Sequence, residues 1–231
     1  MSIFNNKIKL RLIFFWLLFL ALLEEAIRYS FGNGDFVGYV IAGNLALNHS
    51  DIYSNWLNTW PPVFSIFSII LAKIDTLSPL FNRVLWQLIS FYALFRIIFL
   101  MGKFLHLPKF EMPLNIKSPA LNLAYFIPIL LIYKYILDNF VNIQINVIML
   151  YLLMESISNF SKKNFLLASF LIAITISFKV YTVFFFAWFI FKRAWKMVSY
   201  TLIFTLLINS ITFLYFGIEP ALGYYAYWWT N

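Results

Sequence analysis

Two of the nine carboxylates in this chain, Asp35 and Asp51, fall in one polar, ring-rich stretch, residues 34–62. A carboxylate beside aromatic rings can take a proton from an acceptor hydroxyl. Asp35 is the candidate for that base, although an N-cap role at the start of a helix suits an Asp equally well. Asp51 reads as the cap of a turn before Tyr53. Tyr39, Tyr53, Trp56 and Trp60 supply rings on which a sugar can stack. Sugar transfer from a lipid phosphate needs such a base, such rings, and a cation or donors for the departing phosphate.

Three other polar features could serve that chemistry. Lys179 is the single charge in the apolar run 165–191. A lysine there is costly, and it either binds something anionic or snorkels from a helix end. Gln144 and Asn146 form an amide patch that can hold sugar hydroxyls or serve as glue between helices. Arg28, with Glu24 and Glu25, follows the first apolar run and faces either the interface or the cavity of the polar stretch.

The elements that must carry these residues are set by a composition that is 63% hydrophobic, 22% aromatic and 11% charged. Soluble domains carry about 25% charged residues. This chain has too little polar surface to cover a soluble fold, so the sequence predicts an all-α, polytopic integral membrane protein of one transmembrane domain, residues 1–231. About seven or eight membrane segments are expected. The net charge of +8 sits mainly in short basic clusters between apolar runs, where it orients helices and gives no reason to expect nucleic-acid binding. No cysteine is present, which excludes thiol chemistry and disulfides. The two histidines, His49 and His106, are far apart, and no metal site is expected.

Lys7, Lys9 and Arg11 precede the apolar run 10–23, which reads as an uncleaved first helix with its basic end in the cytoplasm. From Asp35 the spacing predicts an amphipathic helix lying along the membrane surface. Pro61-Pro62 opens the next helix. Run 63–74 is short for a span, while run 80–101 is full length. The basic loop 102–119 follows. Run 165–191 is one long helix or two short ones turning at Lys179. Run 198–216 is the last span, and the Tyr and Trp residues near the C-terminus read as an interfacial belt. No GxxxxGK[ST] loop, HExxH, GxSxG or D-x-D pair occurs.

The order DFVGYVIAGNLAL, DIY, WPPVFSIFSIILA, VLW, NIQIN and FKVYT, over residues 30–196, resembles glycosyltransferase family 87, of the GT-C superfamily. That family holds polytopic transferases dependent on lipid-phosphate sugars, including mannosyltransferases. The resemblance implies Asp35 as catalytic base, and Tyr39, Tyr53, Trp60, Gln144, Asn146, Lys179, Tyr181 and Arg28 as substrate contacts. It also implies a polyprenyl-phosphate sugar donor, most readily mannose, a lipid or glycan acceptor, inverting transfer without a cofactor, and a bacterial inner or plasma membrane with the site facing outside. Asn48 and Ile143 stand where the family has glycines, Trp60 where it has tyrosine, and Thr182 where it has proline. Such enzymes usually carry further helices, so a shortened member is expected. The rival readings are a lipid-glycan flippase and a non-catalytic membrane subunit.

Overall fold

The structure is a computed structural model that describes residues 16, 17, 19–32, 34–104 and 119–230. The N-terminal basic cluster and most of the basic loop, with His106, lie outside the described residues. Among the described residues the fold is all helical. The helices are α1 (19–29), α2 (Asp35–Leu47), α3 (Pro62–Leu77), α4 (Pro79–Phe104), α5 (Pro119–Val141), α6 (Asn146–Ser161), α7 (Phe165–Phe178), α8 (Val183–Phe191), α9 (Trp195–Phe216) and α10 (Ile218–Thr230). They fall into two compact units. The first holds residues 1–34 and 83–148, and the second residues 35–82 and 149–231.

Seven or eight segments are expected from the sequence. Among the described residues two helices, α4 and α9, are long and apolar enough to cross a bilayer. Both turn large apolar side chains outward, among them Leu88, Phe95 and Phe99 on α4 and Leu202, Leu206 and Leu214 on α9. The apolar helices α2, α3, α7 and α8 are shorter. At about 1.5 Å per residue, the 16 residues of α3 and the 14 of α7 fall below the roughly 30 Å hydrocarbon thickness.

In the first unit, Leu22 and Ala26 pack against Ile136 and Phe140, with Phe91 and Leu94 around them. The Gln87 amide donates to the Phe140 carbonyl at 2.8 Å. Gly34 lies so close to the Asn142 backbone that a Cβ would stand 2.4 Å from its carbonyl oxygen.

In the second unit, α2 and α3 approach closely. A Cβ on Gly43 would lie 2.1 Å from the Ser68 carbonyl oxygen. Ala42, Ala46, Ser65, Ser68 and Ala72 are fully buried on the two helices. Small residues let helix backbones meet in this way. The expected surface-lying helix is therefore a packed one. Along α2, Phe36, Gly38, Tyr39, Val40, Ala42, Gly43 and Ala46 are all buried, too many to leave one face for lipid or water.

Four helices end in the same motif without a glycine. After α2, α5, α6 and α8 the residues with positive φ are His49, Ile143, Lys163 and Arg193. Each donates its N–H to the carbonyl three residues back, and the next residue donates to the carbonyl five back. This is the Schellman arrangement, in which glycine is the usual left-handed residue. Ile143 is the costly member. A left-handed β-branched residue costs about 1–2 kcal/mol, while full burial of its side chain returns roughly 1.5–3 kcal/mol. The family glycine at this position is thus replaced by a residue whose packing offsets the strain. At the end of α2 it is His49, one residue beyond Asn48, that takes the left-handed conformation.

Run 165–191 is two helices, separated at Lys179 by a short 3₁₀ turn, Val180–Thr182. Lys179 is extended, with φ −144°, and its N–H still donates to the Thr175 carbonyl at 2.8 Å. Its own carbonyl accepts from the Thr182 hydroxyl at 2.9 Å and from the Thr182 N–H at 3.1 Å. Thr182 has φ −69°, the angle a proline ring imposes. The threonine hydroxyl ties the turn from the side, beside a backbone N–H bond that a proline at this position could not make.

Two outcomes follow. Gly43→Ala should lower stability by about 1–3 kcal/mol through overpacking, whereas Gly223→Ala, with open space around it, should be neutral or add up to about 1 kcal/mol of helix propensity. Thermal unfolding in detergent compares them. Thr182→Val should cost about 1 kcal/mol by deleting one hydrogen bond, and Thr182→Ser should stay close to the parent protein in the same assay.

Candidate functional site

Asp35 is the exposed first residue of α2, where a negative charge suits the helix N-terminus. One turn further on, Tyr39 anchors that helix from inside. Its ring meets Trp60 edge-on at 4.5 Å and Phe64 at 5.1 Å. Trp60 and Phe64 lie 5.4 Å apart. Phe64 also meets Phe178 at 5.3 Å, and Phe178 meets Phe67 at 5.1 Å. Phe178 is the residue before Lys179. A continuous set of rings therefore runs from the first turns of α2, through the start of α3, to the break between α7 and α8.

Lys179 is half-buried. Its ammonium lies 5.8 Å from the centre of the Tyr181 ring, at the outer reach of a cation–π contact. The Asp35 carboxylate is near enough for its charge to act on that ammonium, opposing the cost of burying it. Asp35 and Lys179 both belong to the second unit.

The rings of the 34–62 stretch do different work from that expected. Tyr39 and Trp60 are only 1% and 8% exposed, and their ring faces are met by other rings. Both hold the backbone in place and offer no open face for a sugar. Tyr53 is buried too. Burial pushes its phenol pKa up, so the hydroxyl stays protonated, and it donates to the Trp60 carbonyl at 2.8 Å. Asp51 caps the turn as its position suggests, its carboxylate accepting from the Tyr53 N–H at 3.0 Å. Trp56, at 84% exposure, is the open ring of the stretch.

The remaining sequence-derived residues lie in the first unit. The Asn146 amide donates to the Gln144 side-chain oxygen at 2.7 Å. Nearby, the Asn139 side chain accepts from the Val147 N–H at 3.1 Å and so caps α6. Arg28 is exposed and ion-paired with Glu24, one turn back on α1.

What sequence reasoning missed is α10. Its Tyr227 ring stacks on Tyr53 at 4.9 Å, Tyr224 reaches the Ser50 carbonyl at 3.4 Å, and the Trp228 indole donates to the Thr59 carbonyl at 3.3 Å. The C-terminal rings, read as an interfacial belt, close over the 50–60 loop instead. Between loop and helix lies a cavity of about 470 Å³ whose lining includes Tyr53, Trp56, Asn58 and Trp229. The density of Tyr and Trp at both ends was visible in the sequence. Their pairing across more than 160 residues was not.

Residues 56–231 match glycosyltransferase family 87. Trp60, Gln144, Asn146, Lys179 and Tyr181 lie inside the match, and so does α10, whereas Arg28, Asp35, Tyr39 and Tyr53 precede it. No curated protein and no solved structure matches the chain. With about three quarters of its length inside that match, the chain belongs to glycosyltransferase family 87 and is a glycosyltransferase.

Proposed function

We propose that this glycosyltransferase moves mannose from a polyprenyl-phosphate donor to a lipid or glycan acceptor in a single inverting displacement. The observation that carries this assignment is the packed set of rings running from the first turns of α2, which Asp35 begins, to the helix break at Lys179. In this reading the Asp35 carboxylate takes the proton of the acceptor hydroxyl. The acceptor oxygen attacks the anomeric carbon and forms the new glycosidic bond. The bond from that carbon to the phosphate oxygen breaks, and the polyprenyl phosphate leaves with the electron pair. Lys179 balances the charge that grows on the leaving phosphate. No nucleotide is consumed. Gln144, Asn146 and Arg28 belong to the first unit and take no step in this scheme.

The same reading makes the chain polytopic, with seven or eight membrane segments in a bacterial inner or plasma membrane and the site facing outside. Three features support it. The span-length helices α4 and α9 expose apolar side chains. The apolar run 165–191 is broken at its one charge, as discontinuous helices are at ligand sites in membranes. Irregular backbone at membrane depth is tolerated where it lines a cavity.

Asp35→Asn should fold normally and transfer sugar about 10²–10⁴-fold more slowly, while Asp51→Asn, which keeps the capping oxygen, should transfer at the parent rate. Lys179→Met should also slow transfer, and Lys179→Arg should restore part of it. The assay is transfer from polyprenyl-phosphate mannose to a lipid acceptor by protein in nanodiscs. An Asp35→Asn protein that transfers at the parent rate refutes the base assignment.

A further inference from the structure

We infer that the cavity between the 50–60 loop and α10 is the acceptor subsite, and that it takes a neutral hexopyranose ring of a glycan or glycolipid. This rests on the transferase reading above and adds the substrate class and its place. The cavity is about 470 Å³, the size of one or two sugar rings with their water. Its described lining carries no charged side chain. A phosphate-bearing donor head group buried there would meet no cation, so the cavity suits a neutral ligand.

The lining has the chemistry a sugar needs. Trp56 and Trp229 are 84% and 79% exposed, so two large ring systems stand open at the cavity. The C–H face of a pyranose packs on such rings. Their neighbours are fixed rather than mobile. Tyr227 is stacked on Tyr53, and Trp228 is tied to the Thr59 carbonyl. Asn58 holds the loop wall from inside. It is only 5% exposed, and its amide nitrogen donates to the Ile52 carbonyl at 2.7 Å and the Ser65 hydroxyl at 3.2 Å. Polar groups at the lining come from the half-buried Asn55 and the exposed Thr59.

The cavity also adjoins the proposed chemistry. Val180 contributes to its wall, and Val180 is the residue after Lys179 and before Tyr181. A sugar seated on the tryptophans therefore lies beside the break that carries the lysine. The donor phosphate belongs at Lys179 and the neutral acceptor in the ring-lined cavity.

The test uses the full chain in nanodiscs and isothermal calorimetry with the methyl glycosides of mannose, glucose and galactose. At least one should bind saturably. Trp56→Ala and Trp229→Ala should each weaken it by about tenfold. Both side chains are exposed, so truncating them leaves the packing intact. Mannose 1-phosphate should bind no more tightly than methyl mannoside. The inference is overturned if no glycoside binds, if both tryptophan variants bind normally, or if the phosphate ester binds more tightly through the same tryptophans. The two readings fail separately. Transfer that survives Asp35→Asn removes the base and leaves the cavity assignment standing. Transfer that needs Asp35 but shows an unchanged acceptor KM in both tryptophan variants removes the cavity assignment alone.

Discussion

The second unit depends on the close crossing of α2 and α3. Two helices lined by small residues are held together by van der Waals contact between their backbones, which falls off within an ångström of optimal separation. Gly43 against the Ser68 backbone gives that contact over the shortest distance. Only with α2 held there does the Tyr39 ring reach Trp60 and Phe64. The rings then extend to Phe178. A charge at the start of α2 and a charge after α7 are referenced to each other through side chains that cannot easily slide, since packed rings in protein interiors have few alternative arrangements.

This explains why the aromatic content of the 34–62 stretch divides into two kinds. Rings near helix starts are consumed in positioning. Rings in the loop proper, Trp56 above all, are left open. The division follows from the proline pair. Pro61 and Pro62 start α3 without needing N–H partners, which fixes Trp60 at the mouth of the helix, where its carbonyl is free to accept from Tyr53. Trp60 therefore replaces the family tyrosine with a larger ring that fills the space between Tyr39 and Phe64. Its indole packs inward, and its backbone holds the loop.

Much of this was legible in the residues, and the rest was not, for physical reasons. The Asp51 turn and the helix start at Pro62 are local events governed by a few neighbouring residues, and each stands where its residue types put it. The break at Lys179 is one of two readings that the apolar run left open, since a single charge can interrupt a helix or ride on it. The inward placement of Tyr39 and Trp60 was not legible, because an aromatic residue packs equally well on a ligand or in a core and local sequence does not say which. The docking of α10 on the 50–60 loop was hidden for the same reason, compounded by distance along the chain. The left-handed residues were hidden because glycine, their usual marker, is absent at all four helix ends.

A second constraint keeps α10 from drifting. Asn209 in α9 donates to the Ser177 hydroxyl at 2.9 Å and to the Thr205 carbonyl at 2.8 Å, and its own oxygen accepts from the Tyr225 hydroxyl at 2.8 Å. Both amide hydrogens and the carbonyl are used. Such a network is most stable when it is complete, since one lost partner leaves a part-buried polar group unsatisfied. Ser177 lies two residues before Lys179, and Tyr225 lies two residues before Tyr227. One asparagine therefore ties the end of α7, where the lysine emerges, to the helix that walls the cavity. The rings set where Asp35 and Lys179 stand, and this amide sets where the tryptophans stand relative to Lys179. Neither could do both, because rings pack without a directional preference strong enough to fix α10, and a single amide cannot span the distance to α2.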